Sequence, residues 1–114
     1  MEYDKKRRHP RYKAALPVEL RKPGVLAPTR AQTVNVSEGG CYVEMTAPQD
    51  VSNEVEIVLW IGREKIQAQG VVVSNHPSFG NGIKFTYVPD DGKAKLQKFV
   101  DSLDPAKRET NSEY

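Results

Sequence analysis

Three stretches of the sequence carry residue types that could bind or transform a ligand. They are Arg7-Arg8-His9-Pro10-Arg11, Asn35-Val36-Ser37-Glu38-Gly39-Gly40 and Phe79-Gly80-Asn81-Gly82-Ile83-Lys84-Phe85. A guanidinium can hold a phosphate through two parallel hydrogen bonds, pair with O6 and N7 of guanine, or stack on a base. Arg7 and Arg11 are separated by a stretch that Pro10 stiffens, since proline fixes its own φ and restricts the residue before it. Standing alone, such an Arg-rich pentapeptide is most often a solvated chain end. Asn35 and Ser37 sit at alternate positions, so at a strand end they point the same way and offer an amide and a hydroxyl to one ligand edge. The plain alternative is an Asx or Ser turn between two strands, with Gly39 or Gly40 supplying positive φ. Gly40 would let a ligand or another backbone approach closely. Gly80 and Gly82 precede a strand rather than a helix. They therefore make a weak phosphate loop and are expected to be barrel-corner or bulge residues.

Catalytic constellations are poorly supported. His9 and His76 are far apart in sequence, and no second His or Cys stands at ligand spacing to build a metal site. Cys41 falls in an alternating pattern and is expected to be a small packed residue rather than a nucleophile. Glu54 and Glu56 share one face of a strand, which is ordinary for a solvated face. No enzymatic role and no cofactor is expected.

The elements that must position these residues are short strands. Leu16, Val18 and Leu20 alternate with Pro17, Glu19 and Arg21, and Lys22-Pro23-Gly24 marks a turn. Thr29 to Val36 is a second strand, and Cys41, Val43 and Met45 alternate in a third. Val55, Ile57, Leu59 and Ile61 form the clearest strand, closed by Gly62-Arg63-Glu64. Lys65 to Ser74 follows at hairpin distance with Ile66, Ala68 and Val72 on one face. Pro77 to Gly82 is expected as a connection, and Ile83, Phe85 and Tyr87 alternate in a sixth strand. The chain then changes period: Leu96, Phe99, Val100 and Leu103 make one helical stripe, with Asp90 or Asp91 as N-cap and Pro105 as stop. This pattern predicts a mainly β domain, a six-stranded antiparallel barrel with a C-terminal α-helix covering one opening or face.

The chain has 114 residues, of which 38% are hydrophobic and 28% charged, so one globular domain is expected. The longest apolar run, Ile57 to Ile61, is too short for a membrane span, and the N-terminus is basic with no apolar stretch behind it. No membrane insertion and no secretory leader are expected, so Asn35-Val36-Ser37 is not read as a glycosylation site. A single cysteine allows no internal disulfide, and a cytoplasmic location is expected. Lys5, Lys6, Arg7, Arg8, Arg11 and Lys13 face only Glu2 and Asp4 in residues 1–13, a surplus of four in a chain whose total is +2. The rest is therefore mildly acidic. This predicts a flexible basic, anion-seeking arm over residues 1–13, a barrel and helix over 14–104, and a polar tail over 105–114.

Taken together and in this order, the stretches resemble the PilZ domain family of bacterial cyclic di-GMP receptors. The family pattern is Arg-x-x-x-Arg in an N-terminal loop, matched by Arg7 and Arg11, then (Asp/Asn)-x-Ser-x-x-Gly, matched by Asn35, Ser37 and Gly40. Gly80-Asn81-Gly82-Ile83-Lys84-Phe85 is similar to the family's late Gly-x-Gly-hydrophobic-x-Phe strand. The resemblance covers roughly residues 5 to 103 and rests on two spaced motifs plus strand order. Two positions depart from the commoner pattern. Asn35 stands where Asp is more frequent, though it keeps a carbonyl acceptor, and Val73 stands where many members have a Trp that stacks near the ligand.

The resemblance implies that the arginine loop folds over the barrel's outer surface and clamps guanine edges and phosphates, with Asn35 and Ser37 beside them. A basic residue before the motif goes with binding an intercalated dimer of the ligand. Lys6 and Arg8 therefore join the expected site, and two cyclic di-GMP molecules per chain are expected, with one as the alternative. The implied role is a second-messenger receptor, of the kind that regulates motility or biofilm formation. Its arginine loop becomes ordered on ligand binding and signals to an unidentified downstream protein. The alternative is a PilZ-like protein-interaction module with weak or no nucleotide binding. Single-stranded nucleic acid is not an expected partner, because residues 14–114 are net acidic and most aromatics alternate into the core.

Overall fold

A computed structural model describes residues 9–105. The alternating segments form β1 (Tyr12–Lys13), β2 (Pro17–Arg21), β3 (Thr29–Ser37), β4 (Gly40–Glu44), β5 (Glu54–Ile61), β6 (Glu64–His76) and β7 (Gly80–Tyr87), followed by helix α1 (Asp90–Leu103). The strands pair antiparallel in the order β3–β2–β5–β6–β7–β4, and β4 pairs back onto β3. The result is the closed six-stranded barrel that the alternation predicts. Closure leaves the six principal strands without a free edge.

The seventh strand was not expected. Tyr12 and Lys13 pair with Val36 and Asn35 along the same side of β3 that β2 occupies farther down. Buried Thr33 holds the junction: its hydroxyl donates to Ala14 O (2.6 Å) and accepts from Leu16 N (2.9 Å). Pairing with the barrel thus begins before residue 14, inside the segment read as a basic arm. The rest of that arm, residues 1–8, and the tail from 106 onward lie outside the described residues.

Inward positions of the strands supply the core: Val18 and Leu20, Val36, Val43, Val55, Ile57 and Leu59, Ile66 and Val72, and Ile83 are all buried. Leu96 and Val100 of α1 are buried against it and Phe99 and Leu103 half-buried, the stripe expected from their spacing. Gly92 lets the first turn of α1 settle against Ile66 of β6. The expected Asp cap is replaced: Pro89 is the N-cap, without a side-chain hydrogen bond. Asp90 and Asp91 instead lie in the first turn, where carboxylates favour the positive end of the helix dipole. The helix ends at Leu103, two residues before Pro105.

Candidate functional site

The β3–β4 turn is built by a side chain. Ser37 is only 5% exposed, and its hydroxyl accepts hydrogen bonds from Gly39 N and Gly40 N (both 3.1 Å) while donating to Gly40 O (3.3 Å). Gly40 pairs with Lys84 of β7, and a Cβ at Gly40 would collide with the Ile83 carbonyl oxygen. Of the two uses foreseen for Gly40, close approach of another backbone is therefore in place.

Asn35 lies two residues before Ser37 on the same face, paired with Lys13 of β1 and Tyr42 of β4. Its Oδ1 is shut off from solvent and has no hydrogen-bond partner. A buried acceptor left unmatched costs about 1–3 kcal/mol, so an arriving donor would be well rewarded. A bulge at Val34 resets the register just before it: Thr33 pairs with Val43 and Asn35 with Tyr42. Without the bulge, Asn35 could not share an outward face with Ser37 while Thr33 stays buried.

Beside this turn runs an open groove of about 980 Å³. Its walls are His9 and Arg11, the Ser37–Gly40 turn, Ile83 to Val88, Val73, and Asp90, Lys93 and Leu96 of α1. The size suits a small organic ligand. Three fixed cations, Arg11, Lys84 and Lys93, face two carboxylates, Glu38 and Asp90, so the groove favours anions. Val73 is bulged out of β6, because Val72 pairs with Ile83 while Ser74 pairs with Gly82, and it lies 49% exposed in the groove.

Of the expected site residues, Arg11, Ser37 and Gly40 are thus brought together in one groove, with Asn35 next along the same face. Lys6, Arg7 and Arg8 lie outside the described residues. Lys84 and Lys93 were missed. Lys84 was findable by alternation from Gly82, and Lys93 by its place one helical turn before Leu96. A second groove of about 500 Å³ lies over β2, β5 and β6, rimmed by the Arg21–Glu56 ion pair, and holds no motif residue.

Gly80 and Gly82 belong to β7 rather than to a connection. The bulge in their neighbourhood sits opposite, at Val73. A Cβ on Gly80 would collide with the Val43 carbonyl oxygen and press on the Tyr42 ring. Asn81 between them is fully buried and clamps the loop after β4: it accepts from Gln49 N (2.7 Å) and donates to Gln49 O (2.9 Å) and Ser74 O (3.1 Å).

Burial pushes the Cys41 thiol up to about 12, an effect that nearby Arg11 only partly offsets, so the thiolate needed of a nucleophile is scarce. Among the described residues, no three His, Cys, Asp or Glu side chains converge to hold a metal, and no helix is long and apolar enough to cross a membrane.

A family model described as PilZ domain matches residues 5–102. No curated protein gives a significant match. Among solved structures, the inhibitor of motility MotI/DgrA of Bacillus subtilis superposes with a TM-score of 0.72 at 17% identity, covering 92% of this chain and 52% of its own. This chain therefore spans about half the length of that protein. The PilZ domain of YcgR from Escherichia coli, solved with cyclic di-GMP, gives 0.69 at 15% identity, covering 96% and 99%. The PilZ domain of CeSA from a cellulose-synthesizing bacterium gives 0.66 at 21%, covering 82% and 97%. At these identities the likeness is one of fold.

Proposed function

The chain belongs to the PilZ domain family, and on that premise we propose that it is a cyclic di-GMP receptor whose ligand lies in the groove beside the β3–β4 turn. The observation that carries the reading is the convergence of Arg11, Ser37 and Gly40 on that groove from segments far apart in sequence. Arg11, joined by Arg7 of the same motif, holds phosphates and guanine edges. Ser37 acts through geometry: its hydroxyl fixes the turn that presents Gly39 and Gly40. Asn35 takes an N–H donor from the guanine edge at its unmatched Oδ1. Lys84 and Lys93 offset charge along the groove.

Lys6 and Arg8 add cations at the arm, enough for a second, intercalated cyclic di-GMP with its two further phosphates. Binding orders the arm against the face that β1 already begins to cover, and so creates a surface for a downstream protein. No cofactor is needed, and motility or biofilm control is the output class such a receptor serves. Calorimetric titration of the full chain with cyclic di-GMP tests the reading through heat and stoichiometry. Saturable binding at two ligands per chain, far tighter than GMP or cyclic AMP, is expected. Comparable binding of all three nucleotides would reduce the groove to a general phosphate patch. Absence of cyclic di-GMP binding would favour the protein-interaction module instead.

A further inference from the structure

β7 lies between β4 and β6, yet Tyr42 of β4 and His76 of β6 touch: the Tyr42 hydroxyl and His76 Nδ1 are 3.0 Å apart, and the ring centroids are 5.7 Å apart. Neighbouring strands are about 4.8 Å apart, so the two side chains must meet above β7. They can do so because β7 carries glycine at its outward positions there. Tyr42 pairs with Gly82, His76 pairs with Gly80, and a Cβ on Gly80 would press on Tyr42 Cε2. The half-buried Tyr42 ring therefore reaches over the glycines of β7, with its hydroxyl tied to His76 at the far end. The residue paired with Tyr42 on its other side is Asn35, whose Oδ1 is unmatched.

We infer that the outward face of Tyr42 is a stacking platform for a purine base whose polar edge meets Asn35. This deepens the proposed function and rests on reading this face as the nucleotide site. A half-buried ring tied at its hydroxyl by His76 loses little freedom when a base lies on it. Aromatic rings stack with any base, so the platform adds affinity, and the amide of Asn35 adds selectivity. Val73, with no ring of its own, leaves that place in the groove without a stacking partner. Tyr87 is the competing aromatic. It is 57% exposed and lines the groove, but lies at the far end of β7, beyond Lys84 and away from Asn35.

The test uses the full chain and cyclic di-GMP, with calorimetric affinity and the guanine H8 proton shift read together. Tyr42→Ala is expected to weaken binding about tenfold or more and to abolish the upfield ring-current shift of H8. Tyr42→Phe should keep the shift and most of the affinity, and His76→Ala should fall between them. Trp60→Ala, an aromatic of β5 outside the groove, is the control and should leave both readouts as in the unaltered chain, and Tyr87→Ala should keep the H8 shift. Undiminished affinity and shift in Tyr42→Ala, or loss of both in Tyr87→Ala alone, overturns the platform while leaving the receptor reading intact. An unaltered chain that does not bind cyclic di-GMP overturns both.

Discussion

The two hairpins β3–β4 and β5–β6 do different work with the same topology. In β5–β6, eight consecutive pairs run from Glu54↔Val71 to Ile61↔Glu64 without a register shift, and Gly62 turns the chain at φ +61°. Its inward residues are aliphatic and its outward ones polar or half-buried. In β3–β4, a bulge displaces Val34, a serine hydroxyl holds the turn, and Gly40 meets the next strand where no side chain fits. The regular hairpin supplies core. The irregular one aims side chains outward, at the cost of a ladder interruption and an unmatched amide. Irregularity marks the face proposed to meet the ligand.

That contrast can be broken at either end. Leu59→Ala, in the regular hairpin, removes a fully buried side chain and should cost about 2–5 kcal/mol of stability in denaturant melts. Cyclic di-GMP affinity of the folded fraction should stay unchanged. Arg11→Ala tests the irregular face through binding. Loss of a charge-assisted contact worth about 1.5–3 kcal/mol should weaken binding roughly ten- to a hundredfold by calorimetry. Affinity left intact by Arg11→Ala would contradict the assignment of ligand to the groove that Arg11 lines.

Ser37→Ala belongs to both sides. Gly39 N and Gly40 N would lose their acceptor, so a loss of about 1–2 kcal/mol in stability should accompany weaker binding. A binding defect without any stability change would show that Ser37 contacts the ligand instead of shaping the turn.

Cys41 sharpens the comparison through pH. Burial pushes its folded thiol up to about 12 from an ordinary 9.0. Between those values the unfolded chain has released the proton and the folded one has not, so stability falls as pH rises above 9.0. Below 9.0 the thiol is neutral in both states and the contribution is constant. Thermal melts of Cys41→Ala should be shallower in pH over that window than those of the unaltered chain. The smallest effect is expected at the Arg21–Glu56 pair, which is exposed on the groove that holds no motif residue. Arg21→Ala should change stability by no more than about 1 kcal/mol and leave binding untouched.

The regular half of the molecule was legible from alternation alone. Val55 to Ile61 and Ile66 to Val72 read as strands because burial on one face leaves a period of two, and Leu96 to Leu103 read as a helix by its own period. What stayed hidden depends on partners distant in sequence. Tyr12 and Lys13 are a strand only because β3 offers them an edge. Thr33 looks like any strand threonine until Ala14 and Leu16 are brought to it. Gly80 and Gly82 read as a connection because glycine is a poor strand former, and only the Val43 carbonyl and the Tyr42 ring explain why a strand needs them. The bulges at Val34 and Val73 leave no mark in composition. At the site, the motif spacing pointed to Arg11, Asn35, Ser37 and Gly40, and periodicity alone could have added Lys84 and Lys93, while the Tyr42–His76 tie required the assembled barrel.

In the proposed receptor, ligand meets the irregular face and not the regular one. Backbone amide shifts of the full chain, followed through a titration with cyclic di-GMP, test it most directly. Changes concentrated in residues 9–13, 35–42 and 82–86, with 54–70 nearly still, are the predicted result. Changes centred on the β5–β6 hairpin, or spread evenly over the barrel, would contradict it.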